Sequence, residues 1–189
     1  MSLPPLNGGY ALVTQRCCRN NTITNVTNSG SYGSTWTVSI PSLDVHCNSS
    51  PTITTVAPTL ICLGEDINLP LSAAEVDGDS LHYELCDVYS GGGQGGGGCN
   101  AVVPNPPCPP PFTIVPWALG YSATNPIPAT PAISINPNTG LISGIPSQIG
   151  QYLLGVCVSE YRDGQLQSTS RLDYQFNVTN CGRPISDMV

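Results

Sequence analysis

The feature that most constrains this chain is a period-two alternation of apolar and polar residues, repeated in short runs. Leu81, Tyr83 and Leu85 alternate with Ser80, His82 and Glu84. Tyr152, Leu154, Val156 and Val158 form a second apolar set, and Leu172, Tyr174, Phe176 and Val178 a third. Neighbouring side chains of a strand point to opposite faces, so each set marks the buried face of a β-strand rather than a helical stripe. The 20 glycines and 19 prolines among 189 residues punctuate any long helix. Hydrophobic residues still make up 40% of the chain and fall in runs, which sets it apart from disordered Pro/Gly-rich sequence. The expectation is an all-β fold of many short strands and turns.

The candidate strands are 10–14 and 35–40, then 53–62, 66–73, 80–88, 132–136, 141–145, 150–160 and 171–179. The last seven match the number of strands in a β-sandwich. Two strands alone cannot bury a core, because an isolated hairpin is marginal in water. Residues 1–50 therefore read as the last strands of a preceding domain or as an addition to the following sheet, with 51–189 as the sandwich itself. Gly9-Tyr10 leading to Cys17-Cys18 and Cys47 loosely echoes Gly150-Gln-Tyr152 leading to Cys157 and Cys181, which favours a preceding, similar domain. Asn48-Ser49-Ser50-Pro51 is a linker or opening turn, and Asp163-Gly164 a hairpin turn with positive φ. Residues 90–131 break the rhythm with a glycine run, a proline cluster, Cys99 and Cys108, and read as a long loop that Cys99 and Cys108 could staple.

Nine cysteines without a CxxC pair, and only two histidines, support disulfides in an oxidising compartment over a zinc site. The odd count leaves one thiol free or paired outside this chain. Adjacent Cys17 and Cys18 could be redox-active, but the ordinary reading places them in two separate bridges. Charge is sparse, at 9% of residues, with a net charge of −7 and no lysine. Nucleic-acid binding requires a basic footprint that five arginines do not supply, and anionic membranes are disfavoured for the same reason. Missing lysine also excludes Schiff-base and P-loop chemistry. No stretch approaches the roughly 20 apolar residues of a membrane span. The start resembles no signal peptide, so an exported chain of this kind is expected to be a piece of a larger protein.

Three carboxylates, Glu75, Asp77 and Asp79, bend around Gly78 and could supply oxygens to a hard cation such as calcium. The alternative is a solvated acidic turn entering a strand. Catalysis finds less support. His46 and Cys47 are adjacent and would point to opposite faces of a strand, His82 falls on a polar face, and no G-x-S-x-G elbow occurs. Glu84, Asp87, Glu160 and Asp163 could in principle pair as glycosidase carboxylates, but read more simply as surface acids. The sequons at Asn20, Asn25, Asn48 and Asn177 mark surface loops if the source glycosylates them.

Two segments carry a family resemblance. Glu75-Val-Asp77-Gly78-Asp79-Ser-Leu81-His-Tyr83 is similar to the D-x-D-G-D-x-L-x-Y turn of cadherin-like bacterial domains. Ile135-Asn-Pro-Asn-Thr-Gly-Leu-Ile-Ser-Gly-Ile-Pro146 resembles the N-x-x-T-G-x-I-S-G-x-P segment of putative-immunoglobulin repeats. With residues 155–164 and 15–21, they resemble large multidomain surface or secreted proteins of gliding-type Bacteroidetes. The resemblance implies an immunoglobulin- or cadherin-like antiparallel β-sandwich with an additional N-terminal strand pair, in a non-enzymatic structural or adhesion module. Its expected partners are neighbouring domains of the same protein, and a surface glycan or protein ligand. Calcium at cadherin junctions also needs acidic linker residues, and Asn48-Ser49-Ser50-Pro51 has none. The main alternative is a carbohydrate-binding module using Trp36, Trp117, Tyr121 or nearby tyrosines as a stacking platform.

Strand parity adds one disulfide. Cys86 and Cys157 both fall on the faces opposite the apolar sets of their strands. If those strands are the neighbouring C and F strands of an immunoglobulin-like sheet, directly opposed cysteines come within reach of a bridge.

Overall fold

In the computed structural model, which describes residues 4, 6–42, 48–54, 59–91 and 108–182, the three alternating runs become adjoining strands of one sheet. They are β7 (Ser80–Leu85), β10 (Gly150–Arg162) and β11 (Gln165–Thr179), in the order β11-β10-β7. Both pairings are antiparallel. β10 and β11 join through Asp163-Gly164, where φ is 52° and 77°. A two-residue turn with both φ values positive matches the right-handed twist of the strands it connects. Because this turn is so tight, β11 starts at Gln165 rather than at the expected 171.

The sheet continues beyond β11 into β2 (Ser34–Ile40) and β1 (Tyr10–Arg16), so the N-terminal strand pair extends the same sheet. β4 (Leu60–Cys62) also lies beside β11 and is parallel to it. That pairing departs from the antiparallel expectation. A second sheet has the order β5 (Ile67–Pro70), β9 (Leu141–Gly144), β8 (Ser134–Ile135), and β3 (Thr52–Ile53) pairs separately with β6 (Ala73–Ala74). The expected strand 66–73 is thus two strands, which separate at Leu71-Ser72 and pair with different partners. The expected strand 53–62 is likewise divided between β3 and β4, and the residues 55–58 between them lie outside the described set. Among the described residues there is no α-helix, and no helix is long and apolar enough to cross a membrane.

The apolar faces read from alternation meet in one core. Tyr152, Leu154, Val156 and Val158 of β10, Phe176 and Val178 of β11, and Tyr83 of β7 pack with Ile67, Leu69 and Ile142 of the smaller sheet. Gathering apolar surface from both sheets into one cluster is the main favourable term holding them together.

β10 is buried on both faces from Tyr152 to Glu160. Its outer face is covered by irregular chain, where Ile23, Val26, Val88, Val115 and Leu153 form a second buried cluster against Trp117. Residues 108–131 are therefore more than a loop. Val115 donates to the Val88 carbonyl at 2.9 Å, Ala118 donates to Asn25 at 3.0 Å, and Thr27 donates to Pro116 at 2.9 Å. Proline-rich chain cannot form a regular ladder, yet it still fills a groove when its remaining amides and apolar side chains find partners.

Cys86 and Cys157 form the expected disulfide, with Cα atoms 5.8 Å apart. They are not directly opposed. Cys157 faces Glu84 in the register, and Cys86 donates its backbone N–H to Gly155 at 3.1 Å, so the bridge runs diagonally. Gly155 permits this approach, because a Cβ there would lie 2.3 Å from the Cys86 carbonyl oxygen. A second disulfide, Cys62–Cys181, ties β4 to the second residue beyond β11. Cys17 and Cys18 bond to each other rather than forming separate bridges. Adjacency holds the two thiols together, while four other described cysteines are already joined in the two long-range bridges. Cys108 is also disulfide-bonded. Cys47 and Cys99 lie outside the described residues, and so does the proposed Cys99–Cys108 staple.

Candidate functional site

The acidic turn sits where four segments converge: the linker, the turn itself, the end of β10 and the start of β11. Glu75 organises the turn, its two carboxylate oxygens accepting the backbone N–H groups of Asp77 at 2.9 Å and Asp79 at 2.6 Å. Gly78, with φ 85°, supplies the left-handed step this bend requires. The Asp77 carboxylate accepts the Ser49 backbone N–H at 2.5 Å, so the turn holds the linker. Asp79 accepts two hydrogen bonds from Arg162, Nε at 2.6 Å and Nη2 at 2.8 Å. That forked geometry is the strongest ion pairing available to an arginine. Arg162 Nη2 also donates to the Asn48 side-chain Oδ1 at 3.1 Å, and lies 3.9 Å from the Asp77 carboxylate.

Glu160 completes the cluster. It follows Val158 at the same parity on β10, so the strand turns its carboxylate inward, where it is fully buried. One oxygen accepts hydrogen bonds from the Ser168 hydroxyl and from Asn48 Nδ2, the latter at 3.1 Å. The other oxygen has no hydrogen-bond partner among the described residues. Burial pushes the Glu160 carboxyl above the ordinary glutamate range. The bonds from Ser168 and Asn48 oppose this, and the charges of Glu75 and Asp79 reinforce it. Carboxylate oxygens of Glu75, Asp79 and Glu160 lie within 4.8 Å of one another.

Of the three sequence-predicted ligands, the structure groups Glu75 and Asp79 and leaves Asp77 out, exposed and turned to the linker. Glu160 replaces it. Reading Glu160 as a surface acid was wrong, and the missed signal was parity, since 152, 154, 156, 158 and 160 share one face. Asn48 and Arg162 carried no such signal. A calcium ion fits the chemistry of this donor set: all are oxygens, and one buried carboxylate oxygen is unpaired.

The other candidates disperse. Glu84 and Asp163 are exposed, and Asp87 accepts the Trp117 indole N–H at 3.0 Å. His82 is exposed within β7, and His46 lies outside the described residues. The Trp36 indole donates to Asp173 at 2.8 Å, within a buried ion pair of Asp173 and Arg19, while Tyr121 packs on Tyr152 with ring centroids 6.1 Å apart. Trp36, Trp117 and Tyr121 thus each have an internal partner. Asn25 is no surface sequon. It is fully buried, its amide donating to the carbonyls of Pro126 at 2.8 Å and Leu153 at 2.7 Å while its oxygen accepts the Leu153 N–H at 2.9 Å.

Comparison with known proteins finds no matching family model and no matching curated protein.

Proposed function

We propose that the chain is a non-enzymatic structural or adhesion module of a larger secreted or cell-surface protein, built as an immunoglobulin- or cadherin-like β-sandwich. The observation that carries this reading is the clamp between the entry and exit of residues 60–181. β4 pairs in parallel with β11, and Cys62–Cys181 joins their ends across a sequence separation of 119 residues. Tension that reaches both cysteines passes through the covalent bridge instead of through the chain between them, and loads only β1, β2 and β3 on the N-terminal side. Such a path suits a repeat that transmits force between neighbouring domains. The antiparallel ladder, the core shared between sheets and the sequence resemblance support the same reading.

Single-molecule pulling of the oxidised chain, paired with a glycan array, tests it. The oxidised chain should yield almost none of the extension stored between Cys62 and Cys181, which a reductant should release as roughly 400 Å of chain. The array should show no glycan signal. Full extension without reductant, or reproducible glycan binding lost on Tyr89→Ala or Phe112→Ala, overturns the proposal. Those two rings lie 5.3 Å apart beside an open groove along β1, and binding there would mark a carbohydrate-binding module instead.

A further inference from the structure

We propose that Glu160, together with Glu75 and Asp79, binds a hard divalent cation of the calcium class at the junction between the linker and the end of β10. The acidic turn alone would not carry this inference, since solvated acidic turns are common. What carries it is Glu160, a fully buried carboxylate with one oxygen unsatisfied and the others of its group close by. Leaving a buried charged oxygen without a partner is costly, and such groups are normally paired or coordinate a metal.

The charge count points the same way. Glu160 joins the carboxylates of Glu75 and Asp79, and among the described residues Arg162 is the cation at this turn, paired with Asp79 and Asp77. Arg162 engages Asp79 along one edge, and each carboxylate oxygen keeps a second lone pair for another ligand. The negative excess is left for a cation to offset. The ligand spacing also fits. Oxygens on opposite sides of a calcium ion stand roughly 4.6–5.2 Å apart, and around magnesium about 4.0–4.2 Å. Here two ligands come from the turn and one from β10, all within 4.8 Å of one another, and the geometrically more tolerant ion adapts best to such a set. Glu160 also accepts from Asn48, and Asp77 accepts from Ser49, so a bound cation would tighten the linker's attachment without any linker carboxylate.

This assignment is independent of the module reading, and its test does not depend on function. The full chain, dialysed against a chelator, is titrated calorimetrically with calcium chloride and separately with magnesium chloride, and its thermal midpoint is followed in parallel. One calcium should bind, more tightly than magnesium, and raise the midpoint as it does so. E160Q and E75Q should each weaken calcium binding at least tenfold, while D77N should stay within about threefold of the unsubstituted chain. If E160Q does not fold, E75Q, whose side chain is partly exposed, provides the reading. No calcium heat at millimolar concentration overturns the proposal. So does an unweakened E160Q or E75Q, or a D77N loss as large as theirs, which would return the site to the turn alone.

Discussion

The two faces of β10 are buried to a similar depth by entirely different means. The inner face meets another sheet: Tyr152, Leu154, Val156 and Val158 interdigitate with side chains from regular strands. The outer face meets irregular chain from residues 23–26 and 112–118, held by individual polar contacts and a small apolar cluster. Asn25 is central to that arrangement, because its amide does for Leu153 what a neighbouring strand's peptide would do, donating to its carbonyl and accepting its N–H. A regular sheet obtains such pairing from backbone alone. An irregular cover needs specific side chains, and so it concentrates its stability in a few residues.

That difference predicts an uneven response to substitution. Asn25→Ala removes the partners of Leu153 and Pro126 while leaving those groups buried, and unsatisfied buried polar groups cost about 1–3 kcal/mol each. Denaturant unfolding should show a loss of roughly 3–5 kcal/mol. A loss below about 1 kcal/mol would mean that the outer cover is dispensable and that the comparison between faces fails.

The next effect concerns the bridge beneath that cover. Replacing Cys86 and Cys157 together with serine removes a cross-link spanning 71 residues, for an expected cost of about 2–4 kcal/mol. Because this disulfide lies on the outer side of the sheet, hydrogen exchange should rise first around Leu153 and Val115 and later around Phe176. Uniform acceleration on both sides would show that the two faces unfold as one unit.

The contrast also explains what could be read from sequence. Alternation encodes a face directly, so the strands around Tyr83, Tyr152 and Phe176, the Asp163-Gly164 hairpin and the partnership of Cys86 with Cys157 were all legible. Parity extended one step further would have placed Glu160 inside. The diagonal offset of the two cysteines was not legible, because the register is set by where β7 ends and by Gly155's close approach to Cys86. The outer cover left no periodic trace. Asn25 read as a glycosylation sequon, and Val115 sat in a proline-rich stretch whose composition speaks of loop. Contacts made by single residues at large sequence separation, such as Asn25 with Leu153, have no local signature.

The smallest expected effect belongs to the inner face and appears only in alkali. Tyr152 is fully buried, its hydroxyl donating toward the carbonyls of Gln148 at 3.3 Å and Ile149 at 3.4 Å. Burial, with the neighbouring Tyr121 phenol adding to it, pushes its pKa up to about 12. The unfolded chain would ionise the same phenol near its ordinary value of 10.0. Above that pH the unfolded state therefore binds fewer protons than the native state, and stability falls as pH rises from about 10 towards 12. At neutral pH both states are protonated and the phenol contributes no slope. In Tyr152→Phe this part of the alkaline decline should disappear, and one late component should vanish from the tyrosinate absorbance titration. Tyr174, raised by its own burial and by Asp173, should remain as a second retarded component. If the component lost in Tyr152→Phe titrates near the ordinary 10.0 instead, the inner face admits water at Tyr152, and the regular side of β10 is no better sealed than the irregular one.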